Sequence, residues 1–156
     1  DIRDAIRNYL LKINQTSKSE VRAEELFSIA HTLSELSHIN DALTKILHRR
    51  AEKWIDRNYE FTEAERNEIV IYHAKTIQLF NNAMHVFSEF TIEDALRVKK
   101  KGKKQSKQAL ELEKTHYSRL LELEPTELVN SKTYLELINM FKTIGEHAVN
   151  LTLIKE

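Results

Sequence analysis

The sequence predicts an all-α fold: an antiparallel bundle of long helices. Two observations carry this. Only two Gly and one Pro stand in 156 residues, while 31% are charged, which leaves little material for hairpins and sheets and suits long helices. Apolar residues also recur in alternating steps of three and four over most of the chain. The length fits one domain with a continuous core.

The first helix is expected within DIRDAIRNYLLKI, where Ile2, Ile6, Tyr9, Leu10 and Ile13 share a face. The polar run NQTSKS ends it, and Ser19 is the expected cap of a second helix reaching about Asp56. The seam of that helix is Leu26, Ile29, Leu33, Leu36, Leu43 and Leu47, the pattern of a bundle helix. Thr62 followed by Glu65 reads as a capping box. It opens a third helix with Ile69, Ile71, Ile77, Phe80, Met84 and Phe87 inward. Trp54 and Phe61 bracket the turn before it and are expected to pack there.

After the turn FTIED, a fourth helix is expected to run to about Leu123. Its first half, RVKKKGKKQSK, is strongly basic and holds Gly102. Such a run reads as a solvated helix face or a short break, or as a docking surface for anionic lipid or an acidic partner. The docking reading names Lys99, Lys100, Lys101, Lys103 and Lys104. Pro125 and Thr126 then introduce a fifth helix from about Glu127 to the end, with Tyr134, Leu137, Phe141, Ile144, Ala148 and Leu151 as its seam.

Charge and composition exclude several classes. Lys plus Arg equals Asp plus Glu at 24 each, so the chain as a whole has no electrostatic case for nucleic acid or a membrane surface. There is no Cys, hence no disulfide or thiolate metal site. No apolar run approaches the ~18 residues of a spanning helix. No Gly-rich phosphate loop or nucleophile with a positioned base is recognisable, so a non-catalytic role is expected.

The second and fifth helices look alike. Leu33, Leu36, Ile39, Asn40, Asp41, Leu43 and Ile46 fall on Ile138, Phe141, Ile144, Gly145, Glu146, Ala148 and Leu151 at one constant shift. The segments before them, IRNYLLKI and HYSRLLEL, also correspond. The chain therefore reads as one domain of two three-helix units. Residues 1–57 would be the remnant of the first and 58–156 the second. The opening is mid-pattern in an amphipathic segment, which leads to the expectation of a longer parent chain.

The stretch FKTIGEHAVNL, Phe141 to Leu151, resembles the signature of the PhoU family of phosphate-uptake regulators. It is most similar to the PhoU-like domain behind the membrane region of bacterial sodium/phosphate cotransporters. The resemblance implies a fold of two similar three-helix bundles. It also implies a regulatory domain at the cytoplasmic face of the inner membrane, partnered by the transmembrane part of its own chain. A second copy is another expected partner, since HTLSELSHINDAL could pack on another subunit.

In that family an acidic residue and a later Asp on each third helix hold metal. Carried over, the second acids are Asp41 and Glu146, while the first are Ser37 and Lys142. A divalent cation on Asp41 and Glu146, or an ion-pair network with Lys142, Lys103 or Lys104, is expected there. Gly145 would let a neighbouring helix, or the paired motif, approach closely. With turns centred near residues 59, 91 and 125, the level of Asp41 should meet Ile77, Gln105 and Gly145.

Two Glu-x-x-His pairs, Glu35 with His38 and Glu113 with His116, supply a different reading, a ferritin-like metal-carboxylate bundle. The same levels separate the pairs by about 21 Å. What survives of that reading is a smaller cluster of His48, Glu68, Glu113, His116 and Glu136. His31 and His38 are expected as polar partners at the core edge.

Overall fold

A computed structural model describes residues 2–16, 20–56, 60–121 and 131–153. The described residues are helical throughout apart from short turns, with no strand among them. The helices are α1 (Ile2–Thr16), α2 (Glu20–Asp41), α3 (His48–Asp56), α4 (Glu63–Ser88), α5 (Ile92–Leu120) and α6 (Ser131–Asn150), and a π-helical segment, Ala42–Leu47, joins α2 to α3. The expected Ser19 cap, Pro125, Thr126 and the start of the last helix lie outside the described residues.

Helix starts follow the local chemistry. Thr62 Oγ1 accepts from the Glu65 amide at 3.2 Å, and Glu65 Oε2 accepts from the Thr62 amide at 2.9 Å, a complete capping box. Thr91 caps α5 by accepting from the Asp94 amide at 3.1 Å. At the first turn Trp54 and Phe61 meet edge to face, with ring centroids 6.0 Å apart.

α6 is the central element. Tyr134, Leu137, Ile138, Met140, Phe141, Ile144, Ala148 and Leu151 are all buried, because α4 and α5 cover one side and α2 another. A fully buried Leu, Ile or Phe contributes about 1.5–3 kcal/mol, so this helix carries much of the core. α5 presents a narrower inward line of mostly small residues, Ala95, Val98, Gly102 and Ala109, interrupted by Gln105. The basic segment is therefore continuous helix through Gly102, not a break. Gly102 lies against Val149, and a Cβ there would overlap the Val149 Cγ2 methyl.

In α4 the buried line is Tyr72, Thr76, Leu79, Ala83 and Val86. Ile71 and Ile77, expected inward, are half-exposed. EIVIYHAKTIQLF offers apolar residues at adjacent phases. The phase that forms inserts Tyr72, whose hydroxyl donates to the Gln105 carbonyl at 3.1 Å, and places small Thr76 where α5 approaches.

The second helix departs from its expected seam as well. Its buried flank is Glu35, Ile39 and Ala42, whereas Ile29, Leu36 and Leu43 stay substantially exposed. The wider π turn then shifts the phase. Leu47 and Trp54 pack on the α6 core, and Arg50 reaches Glu136 at 2.8 Å. Within the π segment, Thr44 Oγ1 donates to the Asn40 carbonyl at 2.8 Å, a side-chain bond that loosens the α ladder.

Candidate functional site

The sequence singles out the middle of α6, and the structure surrounds it with three polar junctions. At Gly145, α5 comes so close that a Cβ would overlap Gln105 Oε1 and sit 2.8 Å from its Cδ. The Gln105 amide donates to Thr76 Oγ1 at 2.6 Å, and Thr76 Oγ1 donates to the Tyr72 carbonyl at 3.0 Å. Gly145 thus gives room to a buried bridge between α4 and α5. Its neighbour is Gln105 of the adjacent helix, not the paired motif around Asn40.

Two residues further along, α6 turns toward α2. His147 Nδ1 lies 2.7 Å from Glu35 Oε2, and the Asn150 amide donates to the same oxygen at 3.1 Å. His31 Nε2 approaches Glu35 Oε1 at 3.8 Å. The His38 ring stacks on His147, centroids 4.7 Å apart. A buried carboxylate is costly unless partnered, and here α2 supplies the acid and α6 the partners. The helices that resemble each other therefore do lie side by side.

The third junction ties α4, α5 and α6 near Tyr134. Arg119 donates two bonds to Glu68, both 2.8 Å, and the Tyr134 hydroxyl donates to Glu68 Oε2 at 2.6 Å. His116 stacks on Tyr134 at 4.4 Å and its Nδ1 lies 3.4 Å from Glu65 Oε1. Burial raises the Glu68 pKa, but Arg119 and Tyr134 together outweigh it and hold the carboxyl below its usual range. Burial, then the Glu68 bond, pushes the Tyr134 phenol up. Burial also raises Tyr72, helped by the charges of Glu146 and Glu113.

The expected metal pair is distributed differently. Asp41 binds Lys45 at 2.9 Å and borders a hollow of about 480 Å³ between α1 and α2, with Arg3, Arg7, Ser37 and His38. The Lys45 bond is the main cause of its lowered pKa. Glu146 accepts from Ser106 at 3.2 Å and faces Lys142 at 3.9 Å. It borders a hollow of about 320 Å³ with Lys99, Gly102 and Lys103. The two carboxylates thus line separate hollows, each beside a lysine.

The Glu-x-x-His cluster disperses. His48 meets Glu52, Glu136 meets Arg50, Glu68 meets Arg119 and His116 meets Glu65. Among the described residues, no group of three His, Asp or Glu could hold a metal ion. Ser34 Oγ is 3.5 Å from His38 Nε2, yet Glu35 holds His147, so these groups do not align as nucleophile, base and carboxylate in series.

Lys100, Lys101, Lys103 and Lys104 are exposed, and Lys99 is half-buried. Sequence reasoning named Glu35, His116 and Tyr134 but missed their partnerships. The helix levels hold the signal for one of them, since they set Glu35 about one turn from His147. No helix of the described residues is long and apolar enough to cross a membrane.

Comparison with known proteins finds no matching family, no matching curated protein and no matching solved structure.

Proposed function

We propose that this chain is a PhoU-like regulatory domain of a sodium-dependent phosphate cotransporter, working at the cytoplasmic face of the inner membrane. It acts by contact with the membrane part and carries out no chemistry itself. The observation that supports this reading best is the packing of the signature helix. α6, with IGEHAVN, lies beside the α2 segment that resembles it, and Glu35 with His147 joins the two.

The basic face of α5 supplies the contact. Lys100, Lys101 and Lys104 project from a helix whose opposite side is locked to α4 and α6 through Gln105 and Gly102. Near an anionic surface each lysine contributes about 1 kcal/mol. Reversing all five of Lys99, Lys100, Lys101, Lys103 and Lys104 to Glu should therefore reduce association with the cotransporter membrane by about a hundredfold or more. Flotation of the domain with membranes containing the transporter measures this. Unchanged association of the reversed variant would refute the docking surface.

A further inference from the structure

The hollow between α1 and α2 has a graded lining that the regulatory reading does not use. Three residues separate the end of α1 from the start of α2, so these helices, which touch, run antiparallel. The late part of α1 and the early part of α2 give it Leu10, Ala30 and Leu33. The opposite ends give Arg3, Asp4, Ser37, His38 and Asp41, with Arg7 and Ser34 between. About 480 Å³ of space thus passes from an apolar end to a polar one. That is the anatomy of a small-ligand site, an apolar wall with a few convergent polar groups.

The charges at the polar end are not equivalent. Asp41 is bonded to Lys45 at 2.9 Å. Arg3 Nε lies 3.8 Å from Asp4, and its charge also reaches Asp41. Arg7 has no hydrogen-bond or ion-pair partner among the described residues. Each carboxylate is therefore answered by a cation, and one guanidinium is not. The hydroxyls differ in the same way. Ser37 Oγ donates to the Leu33 carbonyl at 2.6 Å, which uses its proton. Ser34 Oγ and His38 Nε2 stand 3.5 Å apart, a contact too long to occupy either group fully. The His38 ring is backed by His147, which steadies that wall.

We propose that this hollow binds a small organic monocarboxylate with a short apolar body. The carboxylate takes the guanidinium fork of Arg7, whose planar donors match it two to two. Ser34 and His38 supply further polar contacts, and the body lies along Leu10, Ala30 and Leu33. One unanswered positive charge suits a monoanion better than a phosphate dianion. The length of the body follows from the helices. Arg7 to Leu10 and Ser34 to Ala30 are steps of three and four residues, about 4.5–6 Å of rise. A chain of a few carbons spans that distance.

The site is independent of the phosphate reading, and its test needs no transport assay. Hexanoate is the probe, added to the nitrogen-15-labelled full chain and followed by amide shifts. Ala30, Leu33 and Ser34 should shift saturably, with a dissociation constant of about a few millimolar or tighter, the scale that a ligand of this size supports. Hexan-1-ol, which keeps the body and lacks the charge, should bind at least tenfold more weakly, as should hexylammonium. Arg7 is exposed, so Arg7→Glu should keep its helicity by circular dichroism while weakening hexanoate at least tenfold. Absence of saturable shifts up to 50 mM hexanoate would overturn the proposal. So would equal binding of hexan-1-ol, or unchanged binding in Arg7→Glu. Hexyl phosphate binding tenfold tighter than hexanoate would overturn the choice of a carboxylate.

Discussion

Gly145 and Gln105 occupy each other's space: the missing side chain of one is the seat of the other's amide. A helix-interior Gly ordinarily costs about 1 kcal/mol relative to Ala. Gly145→Ala should nonetheless destabilise the fold by about 1–2 kcal/mol, because it displaces a buried amide from Thr76. In a Gln105→Ala background the same substitution should stabilise by up to about 1 kcal/mol through helix propensity. Urea titrations of the four chains of this double-mutant cycle measure the reversal of sign.

The Glu35 carboxylate holds α2 against α6. Removing it as Glu35→Ala leaves His147 and Asn150 without their acceptor, and should cost about 1–3 kcal/mol. Hydrogen exchange should speed up in α2 and α3 more than in α4 and α5, because the latter keep their contacts through Gln105 and Arg119.

Acid should loosen the junction at Glu68. Its folded pKa is lowered from 4.5, by Arg119 and Tyr134 against the opposing effect of burial. The unfolded chain therefore takes up the proton first as pH falls. The stabilisation is complete above about pH 4.5 and is lost as pH drops through the lower folded value. Glu68→Gln should cost about 1–2 kcal/mol at pH 7, and the difference from wild type should shrink only below about pH 4.5. Melting temperatures from pH 7 to pH 3 check this.

Alkali acts through Tyr72 and Tyr134. Both phenols are raised above 10.0, first by burial, so the unfolded chain releases their protons first as pH rises. Their contribution is intact below about pH 10 and is lost above it. Tyr134→Phe should flatten the alkaline loss while removing the bond to Glu68. Phenolate absorbance in the folded chain should show Tyr72 and Tyr134 titrating above 10.0.

Much of this architecture is legible in the sequence because helix levels depend only on turn positions and a fixed rise. Gln105 meets Gly145 and Thr76, and Arg50 meets Glu136, where the levels put them. The Thr62–Glu65 cap is equally local and equally readable. Helix phase is harder. In α4, adjacent isoleucines allow two inward faces, and the choice is made by the reach of Tyr72 to Gln105. In α2, the leucine seam is the strongest apolar pattern, yet the chain buries the flank that carries Glu35, since His147 and Asn150 wait there. Asp41 and Glu146 share a depth, but their directions around the helices send them to separate hollows. Depth follows from counting; direction follows from packing.

The regulatory reading, which places this segment in a sodium-dependent phosphate cotransporter, is tested most directly by phosphate uptake through such a protein in cells lacking other phosphate transporters. Initial rates are compared with residues 1–156 present, deleted, or bearing the five lysine-to-glutamate changes. The account predicts that uptake persists without the domain but no longer responds to the phosphate supply during growth, with the lysine variant behaving like the deletion. Identical rates and identical responses in all three would contradict it.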